Sequence, residues 1–476
     1  MAILRDDLLV SLRSDVSVSQ REESLLLASP THTFEINASQ PWRADVVERL
    51  RDGFASEHAL LDAMVMAHRV ERRAVARLIA RMNDRGMLCY RHPELPRTAL
   101  GVYPYADGFW NATVSHGDAV RLSRFACVRR AGDDLRIEHP LAGAYLLTVA
   151  PPLGELLVEM TRPVEWRSLE GVAMAVAEIM FRTGILVPVE AREDTDAPLA
   201  SWTFHEMLFH ARSRRGTSDQ LFALGSRFRE NVDPPPSLWS PKSMQPPWPL
   251  PRPDEEALMR RSRPFLDVLA RRRSRRQVGP AVITAAELGA VLYLAARVRG
   301  EFSLQGRTYT ERPYPNGGSL YELEIYLTVR PTPYQEIAPG FYYYDPQAHT
   351  LALLAPYEGH AEALTVEAYR ASGEVSEPQI LVTISARFDR VMWKYQAFAY
   401  SLILKNVGCL LQTLYLVATD LDLAACAIGS GNSRVFSALI GRPLEEESSV
   451  GELTLGKPST TAEPSLRGHS AAREVE

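Results

Sequence analysis

Residues 393–432 read WKYQAFAYSLILKNVGCLLQTLYLVATDLDLAACAIGSGN. The stretch opens on adjacent Lys394 and Tyr395, two groups able to move protons. A long helix follows, because Val407, Leu410, Leu411, Leu414, Val417 and Leu421 recur near the helical period and share one apolar face. It ends in a short strand-like run, Cys426-Ala427-Ile428, and a Gly429-Ser430-Gly431-Asn432 loop. Proton-transfer groups, a buried helix and a glycine-rich loop in one segment suit an active site built on a core element. A plain core helix opening on a Lys-Tyr pair has the same pattern, so the decision comes from the rest of the chain.

With 476 residues the chain has room for two or three domains. Its 46% hydrophobic and 23% charged content is that of a soluble globular protein. A formal net charge of -5 argues against a dedicated nucleic-acid binder. Cys89, Cys127, Cys409 and Cys426 form no CxxC or Cys/His cluster. No metal site is therefore expected, and reduced thiols point to a cytoplasmic protein. No apolar run is read as reaching the roughly 18–20 residues of a membrane span, and the N-terminus lacks an apolar signal core.

Upstream, residues 8–18 and 33–36 are expected as strands, 57–68 and 70–85 as helices, and 87–90 as a strand. Val75, Leu78, Ile79 and Met82 share a face of the second helix, and Gly86 stops it. Two helices followed by a strand form a winged-helix pattern. Arg72, Arg73, Arg77, Arg81 and Arg85 keep a DNA-binding reading open, although the fold also serves for protein and peptide docking. A second such unit is expected further on: aligning Gly86 with Gly184 pairs Leu78 with Val176, Met82 with Met180 and Leu88 with Leu186. The proline-rich stretch 231–253 reads as an extended linker pinned by Trp239 and Trp248. The expected division is 1–95 and 96–230 as two winged-helix-like docking units, 231–253 as linker, 254–458 as the main domain, and 459–476 as a disordered tail.

In the main domain, Arg271-Arg272-Arg273-Ser274-Arg275-Arg276 ends an apolar helix, a composition suited to a phosphate or to a solvated basic face. Residues 312–321, RPYPNGGSLY, let the backbone approach a flat ligand at Gly317-Gly318, or form an ordinary turn. Neither is a Walker or Rossmann loop. In order, the chain carries RRSxR at Arg272, Arg273, Ser274 and Arg276, then RPYPxGGxLYxLExY at 312–326, then GxYxYDPxxHxL at 340–351. Lys394-Tyr395, GxxxQxLYLxAxxL at 408–421 and Cys426-Ala427-Ile428-Gly429 follow.

Taken together these pieces resemble the SagB-type (ThcOx-like) azoline dehydrogenases, over residues 255–458. Upstream, LSRFACVRR and WTFHEMLFHARSRRG also resemble segments of longer members. The resemblance implies an α+β fold: a nitroreductase-like flavin domain, with an antiparallel sheet and a long central helix, preceded by the two winged-helix-like units. It implies FMN at a homodimer interface. Arg272, Arg273, Ser274 and Arg276 would hold the phosphate; Pro315, Asn316, Gly317, Gly318 and Ser319 would lie against the ring; Gln412, Gly429 and Ser430 would complete the pocket. It implies oxidation of thiazoline or oxazoline rings in a ribosomal precursor peptide, with Lys394 or Tyr395 as the base. The N-terminal units would dock the peptide's leader or a cyclodehydratase partner. The alternatives are a small-molecule nitroreductase-type enzyme and a non-catalytic scaffold subunit. Three features depart from the family pattern: residues 396–401 lack its arginines, Cys409 replaces a histidine, and Lys405-Asn406 stand where an acid is more usual.

Overall fold

A computed structural model of the chain describes residues 8–29, 32–53, 55–96, 100–105, 108–111, 115–148, 152–195, 197–214, 235–304, 306–395 and 398–459. Residues 231–234 of the expected linker, and the expected tail after Ser459, lie outside them. The chain divides into two compact units, Met1–Phe222 and Ala223–Glu476.

The first unit opens with β1 (Leu9–Leu12), β2 (Ser17–Arg21), β3 (Ser24–Ala28) and β4 (Thr33–Asn37). Then come α1 (Pro41–Asp52), β5 (Ala55–Ser56), α2 (Glu57–His68), α3 (Arg72–Asp84), β6 (Leu88–Arg91) and β7 (Gly101–Pro104). The order then recurs as β8 (Ala119–Leu122), β9 (Cys127–Ala131), β10 (Asp134–Glu138), β11 (Ala144–Thr148), α4 (Pro152–Glu159) and β12 (Val164–Glu165). It closes with a 3-10 turn (Trp166–Ser168), α5 (Gly171–Arg182) and β13 (Leu186–Pro188), followed by α6 (Ala197–Ala200) and α7 (Phe204–Arg212). In both halves the first strand sits between a short strand and the last one, β5-β1-β6 and β12-β8-β13. Both long helices end the same way. Gly86 and Gly184 take positive φ (60° and 78°), and the next N–H reaches back to Met82 O (2.9 Å) and Met180 O (2.8 Å). The halves differ where the 12-residue α2 is reduced to the 3-residue turn.

The expected boundary at residue 95 is not a boundary in the structure. One sheet, ordered β5-β1-β6-β7-β11-β10-β9, runs through both halves, and one apolar core extends from Leu8 to Leu186.

The second unit contains β14 (Trp248–Pro249), α8 (Glu255–Arg261), α9 (Phe265–Arg271), α10 (Ala285–Ala296) and the hairpin β15 (Gly300–Leu304) and β16 (Arg307–Glu311). After a 3-10 turn (Gly317–Ser319) come β17 (Leu323–Val329), β18 (Gly340–Asp345), β19 (Thr350–Ala355), α11 (His360–Ala371) and β20 (Ile380–Arg387). The chain continues through α12 (Asp389–Tyr395), α13 (Ala399–Asp420), β21 (Ala424–Ile428), α14 (Ser433–Ile440) and β22 (Glu447–Gly456). The strands form one antiparallel sheet, β14-β19-β18-β17-β20-β22-β21. Alternation divides its faces. Leu323, Ile325 and Leu327 pack with α10 and α13, whereas Tyr326, Phe341 and Tyr343 pack with α11 and α14. The Thr284–Glu287 capping box starts α10.

The 22-residue α13 is long and apolar enough to cross a membrane by length and composition, contrary to the sequence expectation. Ile403, Leu410 and Leu414 are nevertheless fully buried in this unit's core. The stretch 235–253 is likewise bound to the second unit. Carbonyls of Pro235, Pro236 and Trp239 accept from Arg390, Arg387 and Tyr343, and Trp248 pairs with Leu351.

Leu410→Ala empties a fully buried position on α13 and is expected to destabilise the protein by about 2–5 kcal/mol. Gln412→Ala, on the exposed face, is expected to change stability by under about 0.5 kcal/mol. Urea denaturation of both variants checks this; equal losses would contradict the burial pattern.

Candidate active site

The basic cluster begins where α9 stops. The N–H of Arg272 closes its last turn on Val268 O, and the chain then runs extended beside β21, with Arg275 N donating to Ala425 O at 2.9 Å. Ser274 Oγ and Tyr415 Oη share a hydrogen bond of 2.9 Å, and Tyr415 Oη also accepts from Ala427 N at 2.6 Å. The Arg272 guanidinium stands 5.4 Å from the Tyr415 ring centroid. Arg271 and Arg275 are paired with Asp267 and Asp422. Arg272, Arg273 and Arg276 have no carboxylate partner among the described residues. The three arginines expected to hold a phosphate are thus the three whose charge is left uncompensated, and on this count the cluster fits an FMN phosphate. Gly429 and Ser430 are exposed just past the end of β21, and Gln412 is exposed one turn before Tyr415.

The glycine loop is held by amide side chains. Asn316 Oδ1 accepts from the N–H groups of Leu320 (3.1 Å) and Tyr321 (2.9 Å), and Asn406 Oδ1 accepts from Gly317 N (3.1 Å). The fully buried Glu322 accepts from the Nδ2 atoms of both, each at 2.8 Å. Gly318, Ser319 and Tyr321 all have positive φ (68°, 54° and 46°). Two of the three are not glycine, so the conformation costs about 1–3 kcal/mol per residue and persists because its surroundings impose it.

Lys394 and Tyr395 close on this loop from the end of α12. A Cβ built on Gly318 would lie 2.5 Å from Tyr395 Oη and 3.2 Å from Lys394 Nζ, so any other residue there would displace the pair from its present position. The ammonium is 5.4 Å from the Tyr395 ring centroid. Partial burial lowers the Lys394 pKa and raises that of Tyr395.

The predicted residues thus gather in two places. In the loop 315–319, Gly317 meets Leu402 and Asn406, and Gly318 stands beside Lys394 and Tyr395. Arg272, Ser274 and the β21 end meet Tyr415. Asn406 and Tyr415 are nine residues apart on α13, two and a half turns, so the two groups sit on opposite faces of one helix, roughly 13 Å apart along it. Sequence reading missed the roles of Glu322 and Tyr415. Asn406 offered a signal, since it interrupts the buried stripe of α13 with a polar side chain.

Comparisons with known proteins bear on the family of the chain. The model of the cyanobactin oxidase ThcOx matches residues 120–219, which include both upstream stretches with that resemblance, and the nitroreductase family model matches residues 269–457. MJ1384 of Methanocaldococcus jannaschii, named as a nitroreductase, is 31% identical over 165 residues, 34% of this chain and 77% of that protein. The microcin B17-processing protein McbC of Escherichia coli is 28% identical over 117 residues, 24% of this chain and 42% of that protein. A crystal structure from Ralstonia eutropha JMP134, described as a nitroreductase, aligns with 50% of this chain and 100% of its own at 19% identity and a TM-score of 0.36. The chain belongs to the nitroreductase family, and the ThcOx and McbC matches bear out its SagB-type, ThcOx-like character.

Gly318→Ala and Gly441→Ala impose the same left-handed strain, about 1–2 kcal/mol, but only the first meets other atoms, those of Tyr395 and Lys394. Gly318→Ala is expected to displace Tyr395 and Lys394, read as a changed Tyr395 environment in the NMR or near-UV spectrum, whereas Gly441→Ala leaves it unchanged. An unchanged Tyr395 signal in Gly318→Ala would mean that the loop and the pair are not adjacent.

Proposed function

We propose that this nitroreductase-family chain is an FMN-dependent azoline dehydrogenase, oxidising thiazoline or oxazoline rings of a ribosomally made peptide to thiazole or oxazole. The observation that carries the reading is that Tyr395 Oη and Lys394 Nζ converge on the side of Gly318 where another residue's Cβ would stand, 2.5 Å and 3.2 Å from that point. Arg272, Arg273, Ser274 and Arg276 would hold the FMN phosphate, and Pro315 to Ser319 the ring. When bound, FMN supplies the two-electron acceptor for the ring oxidation.

Aromatisation also removes a proton from the azoline Cα, which requires a base within hydrogen-bond reach. Burial favours neutral lysine and disfavours phenolate, so it supports Lys394 as the base and Tyr395 as its neighbouring hydroxyl. The base must be deprotonated to act. Turnover should therefore rise with pH through the Lys394 pKa, which lies below the ordinary lysine value of about 10.4. The opposite faces of α13 support a second role for symmetry: the loop of one copy would complete the phosphate site of another, in a homodimer.

The first unit's helix–strand–helix–helix–strand order supports winged-helix-like units that dock the precursor's leader, with a cyclodehydratase as the other candidate partner. The element that favours a peptide is β4. It is paired on one side only among the described residues, and a groove runs between it and α3, lined by Phe34, Ile36, Ala74, Leu78 and Arg81. An extended peptide can add to such an edge. The similarity to MJ1384 favours the small-molecule alternative; NAD(P)H-dependent nitro reduction without peptide oxidation would select it.

The purified protein is expected to carry FMN at about one per chain, read by its visible spectrum and release of the chromophore. A colourless protein that takes up no FMN would select the scaffold reading. Lys394→Ala combined with Tyr395→Phe is expected to retain flavin while peptide oxidation is lost, and Tyr395→Phe alone to keep the rising pH limb. Near wild-type oxidation by the double variant would overturn the assignment. Ala74→Trp, which fills the groove, should raise KM at least tenfold for the full precursor and leave a leaderless azoline peptide unaffected. Unchanged kinetics on both substrates would move the docking site elsewhere.

A further inference from the structure

The strongest unexplained feature of the second unit is Glu322, a carboxylate with no exposure and no cationic partner among the described residues. A buried charge of this kind is costly unless its hydrogen bonds are complete. Here it receives two, from Asn316 Nδ2 and Asn406 Nδ2, both at 2.8 Å. Each amide is held by backbone at its other end. The Asn316 carbonyl takes the N–H groups of Leu320 and Tyr321, and the Asn406 carbonyl takes that of Gly317. The orientation of both amides is therefore fixed: oxygen to the loop, nitrogen to the carboxylate. One carboxylate, through two amides, governs three of the five N–H groups in residues 317–321.

We propose that Glu322 is the positioning residue of this loop. Its charge aligns Asn316 and Asn406 so that the loop, strained at Ser319 and Tyr321, holds Gly318 beside Lys394 and Tyr395. The clamp tethers the loop to α13 through Asn406 and to β17 through Glu322 itself, which leads into that strand. The clamp stands on this geometry alone. Its consequence for FMN rests on the function proposed above.

The chemistry predicts a specific rescue. Glu322→Gln replaces one acceptor with a donor, so one of the two asparagine NH2 groups faces another NH2 group. Asn406→Asp sets one carboxylate against another. With both changes, the amide nitrogen of the introduced glutamine donates to the carboxylate introduced on α13, and its amide oxygen accepts from Asn316. The second oxygen of that new carboxylate still accepts from Gly317 N. Every hydrogen bond is restored with the charge moved to α13.

The experiment measures hydrogen exchange by mass spectrometry over residues 315–322 in the full-length protein, alongside FMN affinity by fluorescence titration. Each single variant is expected to speed exchange of this peptide at least tenfold and to weaken FMN at least tenfold. The double variant should return both to within about threefold of wild type. If the two losses multiply in the double variant, the clamp is overturned. If exchange changes and is rescued while FMN affinity never moves, Glu322 is a structural residue and its role toward the cofactor is overturned. If the wild type takes up no FMN, the proposed function falls, whereas the exchange measurements still decide the clamp. Should Glu322→Gln fail to fold, rescue of Asn406→Asp by the second substitution remains decisive.

Discussion

The second unit depends on one helix being gripped from both sides. Near its start α13 presents Leu402 and Asn406 to the glycine loop; near its end it presents Tyr415 to Ser274 and to the backbone of β21. The helical period makes these opposite faces. Leu404, Gly408 and Gln412 are exposed at four-residue spacing, and the helical period puts Leu404 and Gly408 on the Tyr415 side of the helix. The buried stripe of Ile403, Leu410 and Leu414 fixes the rotation of α13 against the sheet. That rotation decides where the arginine cluster and the Lys-Tyr pair lie relative to each other. A slip of one residue would turn Asn406 about 100° away from Gly317 and leave Glu322 with a lost partner.

The sheet's other face is built on a different principle. Beside its aromatic residues it buries Glu324 against Arg387 (2.8 Å), and Glu447 beneath the hydroxyls of Tyr326 and Ser385. Removing one member of such a set leaves an uncompensated buried charge. The same face holds the proline-rich strap. Proline offers a carbonyl but no N–H, so the proline-rich start of the strap is bound by donors on its partners. Arg387 and Arg390 are donor-only groups, and the Tyr343 hydroxyl donates as well. What reads as a linker by composition is therefore an N-terminal strap of the flavin-type unit, held by its carbonyls.

Sequence made the apolar and punctuated elements legible. Residues 323–329 alternate cleanly and form β17 with those bounds, and Thr284 with Glu287 marks the start of α10. The strand β22 carries no such signal for a physical reason. Its sequence, ESSVGELTLG, is polar at half its length, yet nine of its ten positions are buried because β20 and β21 flank it, tyrosine and serine hydroxyls bond Glu447 Oε1, and Arg442 lies 3.6 Å from Oε2. The helix α11, HAEALTVEAYRA, shows little periodicity because four of its apolar residues are alanine and charged residues interrupt the rest. At the site, motif order brought the right segments into view, but periodicity alone could not reveal that Glu322 joins Asn316 to Asn406. Those three come from a loop, a strand start and a helix 84 residues apart along the chain from Glu322.

The duplicated first unit shows how two copies of one element order come to differ. In the first half, β2, β3 and β4 form a separate three-stranded sheet that ends on β4. In the second, the corresponding β9, β10 and β11 are joined through β11 to β7 and so to the first half's sheet. The second hairpin has therefore used the edge that, among the described residues, the first leaves unpaired. Unpaired edges invite association, and β4 answers with exposed Glu35 and Asn37 alternating with buried Phe34 and Ile36, polar outward over an apolar floor. The second copy also shortens α2 to a single 3-10 turn. Both changes make it a structural support, whose strands extend the common sheet and whose core is continuous with the first copy's. One half thus extends the common sheet, while the other keeps an edge strand that is paired on one side only among the described residues.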